Sequence, residues 1–438
     1  MEPMNKRSLS PSTRTALIAT ILFVACTAAA YLRVTPLARH VLWAEDGRNF
    51  VSDANVQGFW ASLFTPIGGY QQMLPRLLAS LATTVAGPTY LAQTVTLLAC
   101  LTVGAVSALL FILSRGVLQS PVLRILLAAI PPLIPTAPEE SLGTLNNLHS
   151  YLLLLSPWLF IFVPKKWWSS IGAAALSALI LLSETQAILF MPLLLLGVRR
   201  PKKWPMIAGA LLGAAIEVAT YLGTPRVQYN FGPTHITPWD VVVGYLAVPL
   251  AASWTFHLHF IAEVITHVTL LPLIVLAVVM LGLAVVAAIW ANSKQRWMIV
   301  ATTLGSGIIW SAAILVSPAP GFEFAQHTFQ DVSGFGVWRY SSVSSGFILA
   351  ALVLIADTLL QRSLRAPRII AVAVAVVVAL PLVVNWWTPP SQRSQGTPLA
   401  VQVAAAKQQC GTGKTTDPQL VEAPPGWTLN LTCAYLSR

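Results

Sequence analysis

The chain has 438 residues, of which 56% are hydrophobic and only 9% are charged. Soluble domains carry roughly 25% charged residues, so 15 acidic and 26 basic residues are too few to cover a soluble protein of this length. This excludes a cytosolic globular enzyme and a disordered chain. The net charge of +11 does not indicate a nucleic-acid binder either, because the basic residues form short clusters between apolar runs. The composition predicts an all-α polytopic membrane protein.

Apolar runs long enough to cross a bilayer recur along the chain. A spanning helix needs about 20 mostly apolar residues. About eleven stretches meet this requirement, at residues 16–36, 91–113, 122–138, 147–163, 169–184, 185–198, 205–223, 268–291, 298–317, 342–361 and 368–387. The stretch 241–267 contains Glu263 and several histidines. We predict that it is re-entrant or lies on the outer surface.

The basic clusters orient these spans, because Lys and Arg stay on the cytoplasmic side of short loops. With the N-terminus inside, alternate threading places every dense cluster inside and the C-terminus outside. The clusters are Arg115 with Arg124, Lys165 with Lys166, Arg199 to Lys203, Lys294 with Arg296, and Arg362 to Arg368. Most acids then fall at or near the outer face, namely Glu45, Asp46, Asp53, Glu139, Glu140, Glu184, Asp240, Glu263, Glu323, Asp331, Asp417 and Glu422.

The composition changes after residue 387, where two Pro-Pro pairs and scattered polar residues replace the apolar runs. We therefore divide the chain into a transmembrane domain, 1–387, and a small extracytoplasmic C-terminal tail, 388–438. Cys410 and Cys433 both lie in this tail. An oxidising compartment favours a disulfide between them.

The first outer loop, residues 37–90, is the longest and opens with Trp43-Ala44-Glu45-Asp46-Gly47-Arg48-Asn49-Phe50. Two adjacent carboxyl groups just beyond a membrane helix repel each other, so one is expected to stay ionised as a base while the other keeps a proton or holds a cation. Residues 53–64 and 74–90 are expected to form amphipathic helices on the outer leaflet. The alternative is that Glu45 and Asp46 only cap a helix in the loop.

This arrangement resembles the GT-C superfamily of membrane glycosyltransferases, whose shared mark is an acidic motif in the first outer loop, often with an aromatic residue shortly after. In Asp46-Gly47-Arg48-Asn49-Phe50 the aromatic stands four residues after the acid. The resemblance covers the architecture of residues 1–387. It implies a sugar donor linked to a polyprenyl phosphate, with Asp46 as the catalytic base. The assignment between Asp46 and Glu45 stays open. The chain also resembles uncharacterised bacterial membrane proteins with a W-A-E-D-G opening.

Polar residues in the outer loops supply candidates for binding the acceptor or its sugar. They are Glu139 and Glu140 before the fourth predicted span, Asn147 and His149 at its start, and Tyr70 in the first outer loop. Polar side chains that enter a membrane helix usually face a cavity or a partner. The alternative for Asn147 and His149 is that they only hold helices together.

A later outer loop supplies candidates for the donor phosphate. Arg339 and Tyr340 directly precede a predicted span, and an outer arginine runs against the positive-inside trend. Arginine binds phosphate oxygens in a bidentate manner, so we assign Arg339 and Tyr340 to the donor phosphate, with Arg76 as a further candidate. The alternative is that Arg339 pairs with a nearby acid or reaches lipid headgroups.

Glu217 lies inside the seventh predicted span. An acid at that depth needs a partner, and Arg33 or Arg226 is expected to supply it.

Together these residues predict an inverting glycosyltransferase of the bacterial cytoplasmic (inner) membrane. It would move a hexosyl or pentosyl group from a polyprenyl-phosphate donor to a cell-wall glycan or a lipid-anchored acceptor at the extracytoplasmic face. No metal ligands are assigned, although a divalent ion (Mg or Mn) bridging the donor phosphate near Glu45 and Asp46 stays open. The alternatives are a transporter or flippase for a lipid-linked precursor and a non-catalytic accessory subunit.

Overall fold

The computed structural model describes residues 10–225, 235–316, 318, 320–325, 338–387, 390–413 and 417–438. The first half contains α1 (Pro11–Arg33), α2 (Ser52–Val56), α3 (Phe59–Leu63), α4 (Met73–Val85), α5 (Leu91–Leu113), α6 (Pro121–Leu133), α7 (Ala137–Glu140), α8 (Leu148–Ile161), α9 (Trp167–Leu181) and α10 (Trp204–Gly223). The second half contains α11 (Pro238–Tyr245), α12 (Leu258–Val268), α13 (Leu271–Trp290), α14 (Ser293–Val316), α15 (Trp338–Leu360), α16 (Arg365–Val384), α17 (Leu399–Gly411), β1 (Gln419–Glu422), β2 (Trp427–Asn430) and α18 (Cys433–Leu436). Two π-helical turns, Asp46–Val51 and Leu246–Leu250, and a 3₁₀ helix, Thr185–Leu195, complete the main elements. Arg226 and Asp331 lie outside the described residues.

The protein is a helical membrane protein. Within the described residues, seven helices are long and apolar enough to cross a bilayer. They are Ser12–Arg33, Pro88–Gly116, Pro201–Gly223, Leu271–Trp290, Ser293–Val316, Arg339–Leu360 and Arg365–Val384. The other four of the eleven predicted spans are shorter apolar helices, Pro121–Leu133, Leu148–Ile161, Trp167–Leu181 and Thr185–Leu195.

Proline explains why the predicted span 122–138 is shorter in the structure. Ser120 caps α6 by accepting the Leu123 N–H, and Pro121 occupies the first helical position, where its missing N–H costs nothing. Pro131 and Pro132 then remove two backbone donors from the last turn, and α6 ends at Leu133. The segment 241–267 also contains no long helix, because α11 with its π-helical turn is separated from α12 by residues 251–257.

The basic loops meet at one end of the bundle. The Lys203 ammonium donates to the Phe160 carbonyl at 2.9 Å. The Asp357 carboxylate accepts hydrogen bonds from the Gln119 backbone and the Gln295 amide. This end, which we call the basic end, gathers Arg115, Lys165, Lys166, Arg199, Arg200, Lys202, Lys203, Lys294, Arg296, Arg362, Arg365 and Arg368.

The opposite end, which we call the acidic end, is formed by residues 34–90, 134–147 and the C-terminal tail. α15 lies at the centre of the bundle and packs against α6, α8, α13, α14 and α16. Its N-terminus, with Arg339, reaches the acidic end. The large loops at this end therefore surround the start of the central helix.

The tail packs directly on the first outer loop. The Asn430 N–H donates to the Ser52 hydroxyl at 2.9 Å, and the Tyr435 hydroxyl donates to the Ala86 carbonyl at 2.9 Å. Leu429, Leu431 and Leu436 are fully buried in the main core. The tail also contains an antiparallel hairpin, β1–β2, which the all-α prediction did not include. A disulfide joins Cys410 to Cys433, as predicted, and links α17 to α18.

Candidate functional site

The acidic motif sits in a turn that the tail holds in place. The Ala44 N–H donates to the Ala423 carbonyl at 2.6 Å, and the Ala423 N–H donates to the Leu42 carbonyl at 3.2 Å. Ala44 has a φ of +44°, a left-handed conformation that costs a non-glycine residue roughly 1–2 kcal/mol. These two backbone hydrogen bonds hold Leu42 and Ala44 against the tail, so the tail supports the motif in this strained geometry.

Asp46, within the motif, is fully buried. Its two carboxyl oxygens accept the backbone N–H groups of Leu145 at 2.9 Å and Asn146 at 2.8 Å. Burial raises the pKa of Asp46 to about 7, opposed by these hydrogen bonds and by Arg393. The carboxyl ties the first outer loop to residues 141–147. Both carboxyl oxygens of Asp46 are thus engaged by the backbone, and the choice of base between Asp46 and Glu45 stays a prediction.

Glu45 is the accessible acid of the pair. One of its carboxyl oxygens accepts the Asn146 amide at 3.3 Å. The other lies 3.9 Å from a guanidinium nitrogen of Arg339, and the two side chains are 21% and 36% exposed. Two charged groups 294 positions apart in the sequence thus meet at the acidic end where both are partly exposed, a place that we call the Glu45 opening.

Glu140 completes this group from a third element. Its carboxyl accepts the backbone N–H of Arg339 at 3.3 Å. An acid at this position also compensates the free N–H groups at the start of α15. Burial raises the pKa of Glu140, and the positive charge of Arg339 opposes the shift. Glu45, Glu140 and Arg339 therefore converge, although the sequence placed them in separate outer loops.

Tyr340 connects this group to the apolar interior. The Arg339 guanidinium lies 4.9 Å from the centre of the Tyr340 ring. The edge of that ring packs against Phe322, with centroids 6.0 Å apart. Tyr340 also borders a small apolar cluster that contains Val241 and Trp310.

A cavity of about 620 Å³ opens below that cluster. Val241, Tyr245 and Leu250 line it from one side, and side chains of α13, α14 and α15 line the rest. Ile348 and Ile355 are its α15 residues nearest to and farthest from the acidic end. At a rise of about 1.5 Å per residue, the cavity begins roughly 14 Å from Arg339 along α15 and extends to roughly 24 Å. Its lining is almost entirely apolar.

Two of the residues assigned to sugar binding hold the protein together instead of facing the opening. Asn147 is fully buried and donates its amide to the Glu140 carbonyl and the Thr144 hydroxyl. The Glu139 carboxyl accepts the Gln392 N–H at 3.4 Å, which ties loop 134–147 to the tail. The neighbour of Asn147, Asn146, is the residue that reaches Glu45, and the sequence did not single it out.

His149 and Glu184 form a second polar group one turn away from Asn146. The His149 ring is hydrogen-bonded to the Glu184 carboxyl, whose other oxygen accepts the Gln186 N–H. Asn146 lies in the turn that precedes α8, three residues before His149. His149 is 27% exposed, so it is accessible beside the Glu45 opening.

The remaining residues assigned from the sequence lie farther along the first outer loop. Arg76 is buried and pairs with Asp53 at 3.0 Å rather than with the Arg339 group. Ile67 and Tyr70 exchange two backbone hydrogen bonds around a Gly68-Gly69 turn, both glycines having positive φ. The Tyr70 ring lies 6.1 Å from that of Tyr221 on α10.

Of the two partners expected for Glu217, Arg33 contacts other groups, and Arg226 lies outside the described residues. Arg33 donates to the carbonyls of Pro132, Ile134 and Asn385. Glu217 instead accepts hydrogen bonds from the Thr185 hydroxyl and the Gln71 backbone.

Arg393 and Glu422 reach the acidic motif from the tail, and neither was assigned to the site from the sequence. Arg393 is 3% exposed and donates to the carbonyls of Val41 and Gly143 and to the Thr96 hydroxyl. Glu422 is 2% exposed and lies against Gly47. Motif spacing does not reveal such contacts, because nearly 350 residues or more separate these positions from the motif. The only signal was the presence of Glu422 among the outer acids.

The described residues contain no group of three or more His, Cys, Asp or Glu side chains placed to hold a metal ion. The arrangement instead combines an accessible carboxyl, an arginine and an apolar chamber. The chain matches no protein-family model, no curated protein and no solved structure.

Proposed function

We propose that the protein is an inverting glycosyltransferase that moves a sugar from a polyprenyl-phosphate donor to a cell-envelope glycan or glycolipid. The observation that carries the proposal is the meeting of Glu45 and Arg339 at one opening, with an apolar cavity beginning about 14 Å away along α15. A donor with a phosphate head and a hydrocarbon tail matches both parts of this arrangement. The GT-C resemblance of the sequence points to the same class of donor.

Arg339 is the proposed phosphate ligand. In the structure its guanidinium stands 3.9 Å from Glu45, a distance at which the pair is weak and largely screened by solvent. A donor phosphate offers bidentate acceptors and so replaces Glu45 as the partner of Arg339. The same event leaves the Glu45 carboxylate free to face an incoming hydroxyl group.

The proposed reaction is a single displacement. Glu45 takes the proton from the acceptor hydroxyl as its oxygen attacks the anomeric carbon, and the bond from that carbon to the phosphate oxygen breaks. The electron pair leaves with the polyprenyl phosphate, whose developing charge Arg339 stabilises. Asp46 and Glu140 hold the loops that position these two groups.

The other accessible side chains of this region are assigned to the acceptor. His149 is held by Glu184 beside the opening and presents a ring nitrogen to a sugar hydroxyl. Tyr70 offers an aromatic face in the neighbouring loop. Arg76, engaged by Asp53, stabilises the acidic turn and has no part in this proposal as a phosphate ligand.

The proposal places the acidic end outside the cytoplasmic membrane. All the dense basic clusters of the described residues lie at the other end, and short loops rich in Lys and Arg stay in the cytoplasm. The donor head then meets the acceptor at the extracytoplasmic face, with eleven membrane segments, seven long and four short.

Reconstitution tests the proposal. The purified protein would be placed in liposomes with decaprenyl-phosphate arabinose or mannose, radiolabelled in the sugar, and with membrane glycolipid extract as acceptor. We expect covalent transfer of label, and a loss of at least tenfold for Arg339→Ala. Movement of the labelled lipid between leaflets without transfer would refute the proposal and support a flippase. Transfer that appears only with a second protein would support an accessory subunit.

A further inference from the structure

The tail carries one more acid into the candidate site. Glu422 is the last residue of β1, and the next residue, Ala423, exchanges backbone hydrogen bonds with Leu42 and Ala44 on the motif. This pairing directs the Glu422 side chain under the turn. A Cβ added at Gly47 would overlap the Glu422 carboxyl group, so a larger residue there would force the Glu422 side chain to shift.

The surroundings of the Glu422 carboxyl oppose its ionisation. The group lies against the backbone N–H groups of Gly47 and Arg48, yet neither oxygen accepts a hydrogen bond of good geometry. Burial, followed by the nearby carboxyl groups of Asp46 and Glu45, raises the pKa of Glu422 to about 9.

The two nearby arginines do not offset this rise in the pKa of Glu422. The Arg48 guanidinium stacks 5.1 Å from the centre of the Trp427 ring, and Arg393 is occupied by Val41, Gly143 and Thr96. Glu422 is therefore a neutral acid wedged between the tail and the motif.

We propose that Glu422 is a positioning residue of the candidate site: the disulfide-closed tail presses its side chain under the Glu45-Asp46-Gly47 turn and thereby fixes the direction of Glu45. The tail is then a structural part of the site and not an appended segment. The role assigned to Glu45 rests on the proposed function, whereas the placement of Glu422 does not.

The first test uses thermal unfolding of the full-length protein in detergent, followed by tryptophan fluorescence between pH 5 and pH 9. An acid whose pKa is raised on folding binds more protons in the folded state, so its contribution to stability falls as the pH rises from about 4.3 towards the folded pKa. Glu422→Gln cannot ionise. We expect the melting temperature of Glu422→Gln, relative to that of the wild type, to rise steadily from pH 5 to pH 9.

Gln419→Ala is the matched control, because Gln419 lies on the exposed face of the same strand. It should follow the wild type at every pH. If the melting temperatures of Glu422→Gln and the wild type change with pH in the same way, the proposed placement of Glu422 is overturned.

A second pair of variants keeps the test independent of Glu422→Gln. Gly47→Ala should lower the melting temperature by several degrees because the added methyl group overlaps the Glu422 carboxyl. Glu422→Ser in the same chain should restore most of the loss. Equal melting temperatures for Gly47→Ala with and without Glu422→Ser would overturn the proposed contact.

The positioning role is tested by sugar transfer from decaprenyl-phosphate donors. We expect Glu422→Ala to lower kcat at least tenfold with an unchanged KM for the donor, and Glu422→Gln to restore kcat. An unchanged kcat in Glu422→Ala would overturn the positioning role. If the wild type transfers no sugar from any donor, the proposed function fails, and the unfolding comparison still decides where Glu422 lies.

Discussion

Replacement of Glu45 by glutamine should change the rate of the proposed reaction much more than the stability of the protein. The side chain is 21% exposed, its nearest arginine nitrogen is 3.9 Å away, and its other oxygen accepts the Asn146 amide. Exposed ion pairs of this kind contribute about 0–1 kcal/mol, and glutamine keeps both the shape and an acceptor for Asn146. We therefore expect Glu45→Gln to cost less than about 1 kcal/mol of unfolding free energy.

The effect on turnover should be much larger. Removal of a general base typically costs 10²–10⁴ in rate, which corresponds to roughly 3–5 kcal/mol in the activation barrier. The measurements are initial rates of sugar transfer from a decaprenyl-phosphate donor and the melting temperature of the same preparation. Glu263→Gln is the matched control, because Glu263 is an exposed acid on α12. A Glu45→Gln enzyme that retains more than a tenth of wild-type turnover would refute the base assignment.

Three further changes test other features. Burial raises the pKa of Asp46 to about 7, so the wild type should lose stability as the pH rises from about 4 to 7, and Asp46→Asn should flatten this slope in melting curves. Gly307→Leu fills cavity space where a Cβ meets no atom, so KM should rise several-fold for decaprenyl donors but not for short-chain donors. Ala44→Gly relieves the positive φ and should add about 0.5–1 kcal/mol to the unfolding free energy, whereas Ala405→Gly in α17 should subtract about 1 kcal/mol.

The sequence predicted the membrane class and the separation of charge between the two ends of the bundle. The first follows from the number of apolar runs that are long enough to cross a bilayer. The second follows from the clustering of Lys and Arg in alternate loops. It did not predict the lengths of the shorter helices, because hydropathy continues through prolines such as Pro131 and Pro132 that end α6. It also missed the β1–β2 hairpin, whose strands are only four residues long.

The candidate site was predictable in its residue types but not in its roles. Glu45 and Asp46 are neighbours with the same chemistry, and only the fold buries Asp46 under the N–H groups of Leu145 and Asn146. Arg339 was singled out because an outer arginine is unusual. Glu422 depends on contacts between distant parts of the chain, which one sequence does not encode in a readable pattern.

The length of α15 bears on how deep the site lies in the membrane. Asp357, near the basic end, follows Arg339 by eighteen residues along α15. At the helical rise this separation corresponds to about 27 Å. The hydrocarbon layer of a bilayer is about 30 Å thick. In the proposed orientation, a hydrocarbon layer of this thickness centred on α15 would place Arg339 and Glu45 close to the level where acyl chains meet headgroups. For the proposed enzyme, a lipid-borne donor would then enter laterally from the leaflet without leaving it, and a polymeric acceptor would bring a chain end to this level.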